Sequence, residues 1–135
     1  MSAPANYNQI VIEKFRANGG KVGGPNQLIL LTTTGAKSGQ PRLSPVAYST
    51  DGDRLVIIAS KGGGPTNLGW YFNLLANPVV TVETGTETFQ ARASVAEEPE
   101  RTRLYDQHAA LMPGFAEYSQ KTTRQIPVVI LTRIA

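Results

Sequence analysis

The chain of 135 residues contains no cysteine, and His108 is its single histidine. Without cysteine there is no disulfide framework, no cysteine-ligated zinc and no thiol nucleophile. No G-x-S-x-G motif accompanies His108, which is expected at the surface or edge of a helix and not in catalysis. No metal site is expected, because the acidic residues at 97, 98 and 100 have no histidine beside them and fit a helix start.

Charged residues and long apolar runs are also scarce. Charged residues make up 17% of the chain, and no apolar stretch approaches the roughly 20 residues of a membrane span. The first residues lack a basic start followed by an apolar run, so no signal peptide and a cytoplasmic location are expected. The length and the 41% apolar content predict one globular domain over residues 1–135.

The net charge of +3 is unevenly distributed. Residues 1–80 carry seven basic and three acidic side chains and most of the glycines, whereas residues 81–135 are close to neutral. A basic, glycine-rich half favours an anionic partner, and an ordinary solvated surface is the alternative. A nucleic-acid partner is not expected, because aromatic residues are sparse and the second half lacks positive charge.

Residues 6–18 have the spacing of an amphipathic helix, with Tyr7, Ile10, Val11 and Phe15 on one side. We expect this helix to pack on the domain. Peripheral contact with a membrane and closure over a ligand are the alternatives.

Short β-rich segments joined by glycine and proline turns predict about six mainly antiparallel strands. They are expected at residues 27–34, 42–50, 54–60, 79–82, 86–95 and 126–134. Further helices are expected after Pro65, ending before Pro78, and over residues 99–111. The fold class is therefore α+β, a small barrel with peripheral helices.

The helix after Pro65 carries a tryptophan whose direction matters. Helical spacing aligns Leu68, Tyr71, Phe72 and Leu75 on one face and points Trp70 away from Leu68 and Phe72. Trp70 is therefore a candidate to border an aromatic ligand, with packing against another element as the alternative.

Two glycine-rich basic loops, residues 35–42 and 61–64, are candidate anion sites. Neither completes a nucleotide motif, because residue 36 is not the glycine of a P-loop and Asn67 replaces the last glycine of a dinucleotide fingerprint. Both loops could bracket one elongated anion, or they are unconnected turns. Since no nucleophile or acid–base pair is evident, an enzyme of this sequence would rely on a cofactor for its chemistry.

Residues 30–42, LLTTTGAKSGQPR, resemble the signature of the deazaflavin (coenzyme F420)-dependent nitroreductase family. The segments at 59–63, 67–78 and 124–129 resemble the family as well, and the resemblance extends over about residues 10–134. It implies a split β-barrel, related to that of small FMN-binding oxidoreductases. It also implies coenzyme F420, a deazaflavin with a phosphate and an oligoglutamate tail.

The resemblance assigns roles to residues of both loops and of the following helix. Cofactor binding is implied for Lys37, Ser38 and Arg42 (tail and phosphate), Lys61 and Gly62 (phosphate or ring edge), Pro45 and Ala59 (ring lining), and Trp70 and Tyr71 (ring flanks). Ser60 is the candidate to hydrogen-bond the acceptor or relay a proton. Tyr118 is the second catalytic candidate, and Met112 and Phe115 are the candidate acceptor-binding residues.

The implied reaction is hydride transfer from reduced F420 to a small-molecule acceptor such as a quinone or nitro compound. Strong nitroreductases of the family carry several tyrosines where this chain has Met112, Phe115 and Tyr118, which favours an apolar, quinone-like acceptor. The alternatives are an FMN-dependent oxidoreductase of the same barrel and a non-catalytic F420 carrier. The sequence specifies no oligomeric state.

Overall fold

The structure is a computed structural model that describes residues 3–20, 27–59, 69–112, 115 and 126–134. Within these residues the helices are α1 (Ala3–Ala17), α2 (Gly69–Ala76) and α3 (Glu100–Leu111). The strands are β1 (Leu28–Thr34), β2 (Pro41–Asp51), β3 (Arg54–Ile58), β4 (Val79–Glu83), β5 (Thr88–Val95) and β6 (Val128–Arg133). Their order around a closed barrel is β1-β2-β3-β6-β5-β4. The predicted α+β barrel of antiparallel strands is confirmed.

Every neighbouring pair of strands in the barrel is antiparallel. The β1–β2 loop therefore lies at one end of the barrel, and the β2–β3 and β4–β5 turns lie at the other end. We call these the loop end and the turn end. Strand β3 is shorter than predicted and stops at Ile58, and the expected helix start at Pro65 lies outside the described residues.

The barrel interior is filled by apolar side chains that alternate along each strand. On β1, Ile29 and Leu31 are inaccessible to solvent and face inward, while Leu30 lies on the outer face. Matching inward residues of the other strands complete one cluster: Val46, Ile57, Val80, Val82, Ala91, Ala93, Val129 and Leu131. This continuous packing makes the barrel a solid core.

Helices α1 and α3 cover different parts of the outer barrel surface. Ile12 and Phe15 of α1 pack on Leu30. On the other side, α3 packs Leu104 against a cluster that includes the outer-face residue Val56. The expected packing of α1 on the domain is confirmed for Phe15, but Ile10 of the predicted apolar side is 53% exposed and Ile12 packs in its place. The structure gives no support to the alternative of peripheral membrane contact. None of the described helices is long and apolar enough to cross a membrane.

The expected orientation of α2 is wrong for Trp70, Phe72 and Leu75, although Tyr71 is partly buried against the barrel-interior cluster as expected. Trp70 is 8% exposed and joins Leu74 in the barrel-interior cluster, whereas Phe72 and Leu75 are 50% and 52% exposed. The helix sequence, GWYFNLLA, is apolar nearly all round. Periodicity therefore gives no clear phase, and the fit of Trp70 into the barrel determines which face is buried.

The end of α1 is held against the β4–β5 turn by a contact that requires glycine. Gly85 has a φ of +99°, and a Cβ added there would lie 2.3 Å from the carbonyl oxygen of Gly19. Beside this contact, Arg16 Nη2 donates to Glu83 Oε2 at 3.0 Å. The backbone approach and the ion pair together fix the position of α1 at the turn end.

Gly85→Ala is expected to lower the free energy of unfolding by about 3 kcal/mol. An L-residue at positive φ costs about 1–2 kcal/mol, and the backbone clash adds about 1–3 kcal/mol. Gly19→Ala is the matched control, because Gly19 also has a positive φ of +62° but nothing lies within 4 Å of its added Cβ. Urea denaturation of both variants measures the difference, and equal losses would contradict the close contact.

Candidate functional site

The loop between β1 and β2 is a compact turn held by its own hydrogen bonds. The Gly35 N–H donates to the Gln40 carbonyl at 2.8 Å, and the Gly39 N–H donates to the Gly35 carbonyl at 3.0 Å. The Gln40 N–H donates to Ser38 Oγ at 3.2 Å. A Cβ on Gly35 would lie 2.5 Å from Ser38 Oγ, so glycine allows the turn to close. The loop therefore has a defined shape.

Lys37 and Arg42 place two available positive charges at this loop. Both are exposed, and among the described residues no carboxylate lies within ion-pair distance of either. By contrast, Arg16, Arg54 and Arg103 each contact a carboxylate. The donor set of an ammonium, a guanidinium and a serine hydroxyl fits phosphate and carboxylate groups.

Helix α2 is attached to this loop through an asparagine that the sequence analysis missed. Asn73 Oδ1 accepts from the Ala36 N–H at 3.0 Å, and Asn73 Nδ2 donates to Thr33 Oγ1 at 3.1 Å. One turn later, Asn77 Nδ2 donates to the Thr34 carbonyl at 3.4 Å. Two amides four residues apart in an otherwise apolar helix were the available signal, because that spacing places them on one face.

Trp70, Tyr71 and Ala59 lie together at the loop end. Ala59 is inaccessible to solvent and belongs to the same cluster as Trp70, against which Tyr71 is partly buried. The Ala59 N–H donates to the Pro127 carbonyl at 3.0 Å, which ties the end of β3 to the start of β6. The loop end thus brings together α2 and the residue after β3.

Pro45 lies on a part of β2 that separates two helices. It is partly buried and pairs in register with Leu30 of β1. Two residues before it, Leu43 packs with the α1 cluster; two residues after it, Ala47 packs with the α3 cluster. Side-chain alternation therefore places Pro45 on the outer face of β2, between α1 and α3.

Met112 and Phe115 are both buried beyond the end of α3, at 5% and 6% exposure. Met112 also lines a small cavity of about 140 Å³, together with Gln27, Tyr48 and Leu111. The structure therefore separates the two candidates, since Met112 borders open space and Phe115 packs behind it.

The remaining candidates, Ser60, Lys61, Gly62 and Tyr118, lie outside the described residues. Their roles stay predictions.

His108 is fully buried, so the expectation of a surface or edge histidine is wrong. Its Nδ1 lies 2.8 Å from Ser49 Oγ, and its ring meets Phe115 edge-on with centroids 4.5 Å apart. Burial lowers the pKa of His108 to about 4, so the ring is neutral at pH 7. Ser49 is 59 residues away in sequence, which is why α3 spacing alone gave no hint of this partner.

In the described part of the chain, no cluster of three or more acidic or histidine side chains is arranged to hold a metal.

Comparison with known proteins gives the family. The sequence model of the F420H(2)-dependent quinone reductases matches residues 7–133. The chain belongs to this family. An F420H(2)-dependent quinone reductase of Mycobacterium tuberculosis is 40% identical over 126 residues, which covers 88% of this chain and 85% of that protein.

Two solved structures resemble this F420H(2)-dependent quinone reductase family member closely. A structure described as an F420-H2 dependent reductase is 40% identical with a TM-score of 0.71, covering 77% of this chain and 92% of its own. A second, described as a domain-swapped dimer, is 34% identical with a TM-score of 0.74, covering 96% of this chain and 99% of its own. The predicted split-barrel fold, F420-linked family and oxidoreductase class are confirmed.

Stability of this family member is expected to fall between pH 6.5 and 4 because of His108. A base whose pKa is lowered by folding, here from 6.5 to about 4, binds its proton more readily in the unfolded chain over that interval. The contribution is therefore complete above about pH 6.5 and is lost as the pH falls, by about 3 kcal/mol in all.

Urea denaturation at several pH values measures this loss. His108→Asn keeps an amide beside Ser49 but has no proton to gain, so its stability should stay nearly flat over the same interval. The Asp51 carboxyl, whose pKa is lowered by hydrogen bonds from Arg103 and Arg54, acts below about pH 4 in both proteins. Parallel curves for the two proteins between pH 6.5 and 4 would refute the assignment.

Proposed function

We propose that this chain binds reduced coenzyme F420 at the loop end of the barrel and reduces a quinone. The observation that carries the proposal is a pair of cations, Lys37 on the loop bonded to α2 and Arg42 beside it on β2, which have no carboxylate within ion-pair distance among the described residues. An oligoglutamate tail and a phosphate offer several negative charges to such a loop, and FMN offers only one phosphate.

The hydroxyl of Ser38 is proposed both to stabilise the loop and to bind the cofactor. Its oxygen accepts the Gln40 N–H and so closes the loop, while its own hydrogen is left to donate to an anionic oxygen. Lys37 would act as a mobile point charge, and the planar guanidinium of Arg42 would accept a two-oxygen group in a fixed orientation. Lys61 and Gly62 are proposed to add charge and a backbone donor from the second loop.

The ring of the cofactor is assigned to apolar surfaces near the loop. Pro45, Ala59, Trp70 and Tyr71 are proposed to border it, with Pro45 on the outer face of β2 and the other three at the loop end of the barrel. Since Trp70 and Ala59 are themselves buried in the barrel cluster, they would form the rigid base of the ring site, and the more exposed Tyr71 would offer the larger contact.

When bound, reduced F420 supplies the hydride, and the protein must orient the acceptor and provide a proton. Met112 is proposed to line the acceptor site, where its cavity also contacts Leu111, Gln27 and Tyr48. Because Gln27 and Tyr48 lie beside the first residue of β1, the ring would have to extend from the loop end along β2 past Pro45 to meet an acceptor there. Phe115 would support Met112 from behind. Ser60 and Tyr118 are the proposed proton donors. His108 is unsuited to this task because it is buried, neutral and bonded to Ser49.

Lys37→Ala and Arg42→Ala are each expected to weaken F420 binding about tenfold, because each removes one charge-assisted contact. Titration of the protein with F420, followed by its fluorescence, measures the affinity, and a parallel titration with FMN should give much weaker binding. Lys14→Ala is the charge-matched control, since Lys14 is also exposed and lies in the last turn of α1, at the turn end. Preference for FMN, or equal effects of all three substitutions, would overturn the tail assignment.

Reduced F420 is expected to be oxidised in the presence of menadione and catalytic amounts of protein. The reaction is followed by the return of the absorbance of oxidised F420, with protein-free and menadione-free samples as controls. Tight binding without oxidation would instead identify a carrier of the cofactor.

A further inference from the structure

The side chain of Asn73 connects two parts of the proposed cofactor site that are far apart in sequence. Its carbonyl oxygen holds the Ala36 N–H of the β1–β2 loop at 3.0 Å. Its amide nitrogen donates to the hydroxyl of Thr33 at 3.1 Å, and Thr33 is 1% exposed. The Asn73 side chain thus bonds both Thr33, near the end of β1, and Ala36, the loop residue that precedes Lys37.

The attachment of α2 has an apolar part and a polar part. Trp70 and Leu74 insert into the barrel-interior cluster, which fixes the depth of the helix. Apolar packing of this kind has little directional preference, whereas the hydrogen bonds of an amide are strongly directional. Asn73 therefore sets where the loop sits relative to the helix that carries Trp70 and Tyr71.

We propose that Asn73 is a positioning residue for F420, which acts by holding Ala36 so that Lys37 and Ser38 face the tail while α2 borders the ring. This inference rests on the proposed function. Asn73 is assigned no contact with the reacting atoms. Its effect on binding is predicted to pass through the loop, and therefore to depend on the presence of Lys37.

The test is a double-mutant cycle on F420 affinity, with the variants N73A, K37A and the double variant. N73A should weaken binding of F420 about three- to tenfold, as expected for the loss of one or two hydrogen bonds that hold a loop. In the K37A background the same substitution should have little further effect, because the charge that Asn73 positions is already gone. Additive losses would show that Asn73 does not act through Lys37.

Asn77→Ala is the matched control. Asn77 directly follows α2, where its N–H donates to the Asn73 carbonyl, and its side chain bonds the backbone of β1 at Thr34 but not the loop. A purely structural role predicts that N73A and N77A lower thermal stability and F420 affinity alike. Positioning predicts a selective loss of F420 affinity in N73A at comparable stability.

A deazaflavin without the phosphate and tail supplies the second readout. N73A should bind this truncated compound as the unmodified protein does, because the loop contacts are proposed to be with the tail. Failure of the unmodified protein to bind F420 would refute the proposed function itself. Normal binding by the unmodified protein with equal behaviour of N73A and N77A would refute only the role of Asn73.

Discussion

Closure of the barrel through β1 is the constraint on which the candidate site depends. Strand β1 is paired on both sides, over seven positions with β2 and three with β4. Leu30–Thr32 are hydrogen-bonded on both sides, whereas Thr33 and Thr34 pair with β2 alone. The end of β1 is held instead by Asn73, which bonds Thr33, and by Asn77, which bonds the Thr34 carbonyl. The β1–β2 loop therefore starts from a strand end whose position is fixed, and strand pairing in the barrel helps to determine where Lys37 and Arg42 lie.

The second layer of the site comes from a helix that closes one end of this barrel. The described part of helix α2 has 8 residues, and isolated helices shorter than about 12 residues are marginal in water. Its stability comes from the burial of Trp70 and Leu74 in the barrel, and its orientation from the amides of Asn73 and Asn77. Trp70, Tyr71 and the β1–β2 loop are therefore all held in fixed positions relative to the barrel.

Much of the fold followed from local patterns in the sequence. Alternating β-branched and apolar residues located the strands, since side-chain direction alternates wherever one face is buried. Glycine and proline marked the loop at residues 35–42, and the motif there pointed to the correct family. The bounds differed where a strand ended through tertiary contact, as at Ala59, whose N–H bonds Pro127 in place of a continued ladder.

Three residues show why the rest could not be predicted. The burial of Trp70 depends on the shape of a barrel opening, and α2 is too uniformly apolar to reveal its buried face. His108 is buried because Ser49 faces it from β2, and a single sequence does not show such a distant partner. Asn73 was visible only as part of a motif, because its two bonds span 37 and 40 residues. Long-range partners decided all three cases.

The ion pairs of the barrel are unevenly distributed between its two ends. Four arginines form the described ion pairs: Arg16, Arg54, Arg103 and Arg133. Three of their carboxylate partners, Asp51, Glu83 and Glu87, lie at the turn end of the barrel. These pairs balance positive and negative charge at the turn end, whereas Lys37 and Arg42 at the loop end have no carboxylate within ion-pair distance in the described part of the chain. Exposed pairs add little to stability, so their larger effect is on the shape of the electric field. In the proposed function, the positive loop end would hold the anionic cofactor, and the cofactor would bring the reactivity.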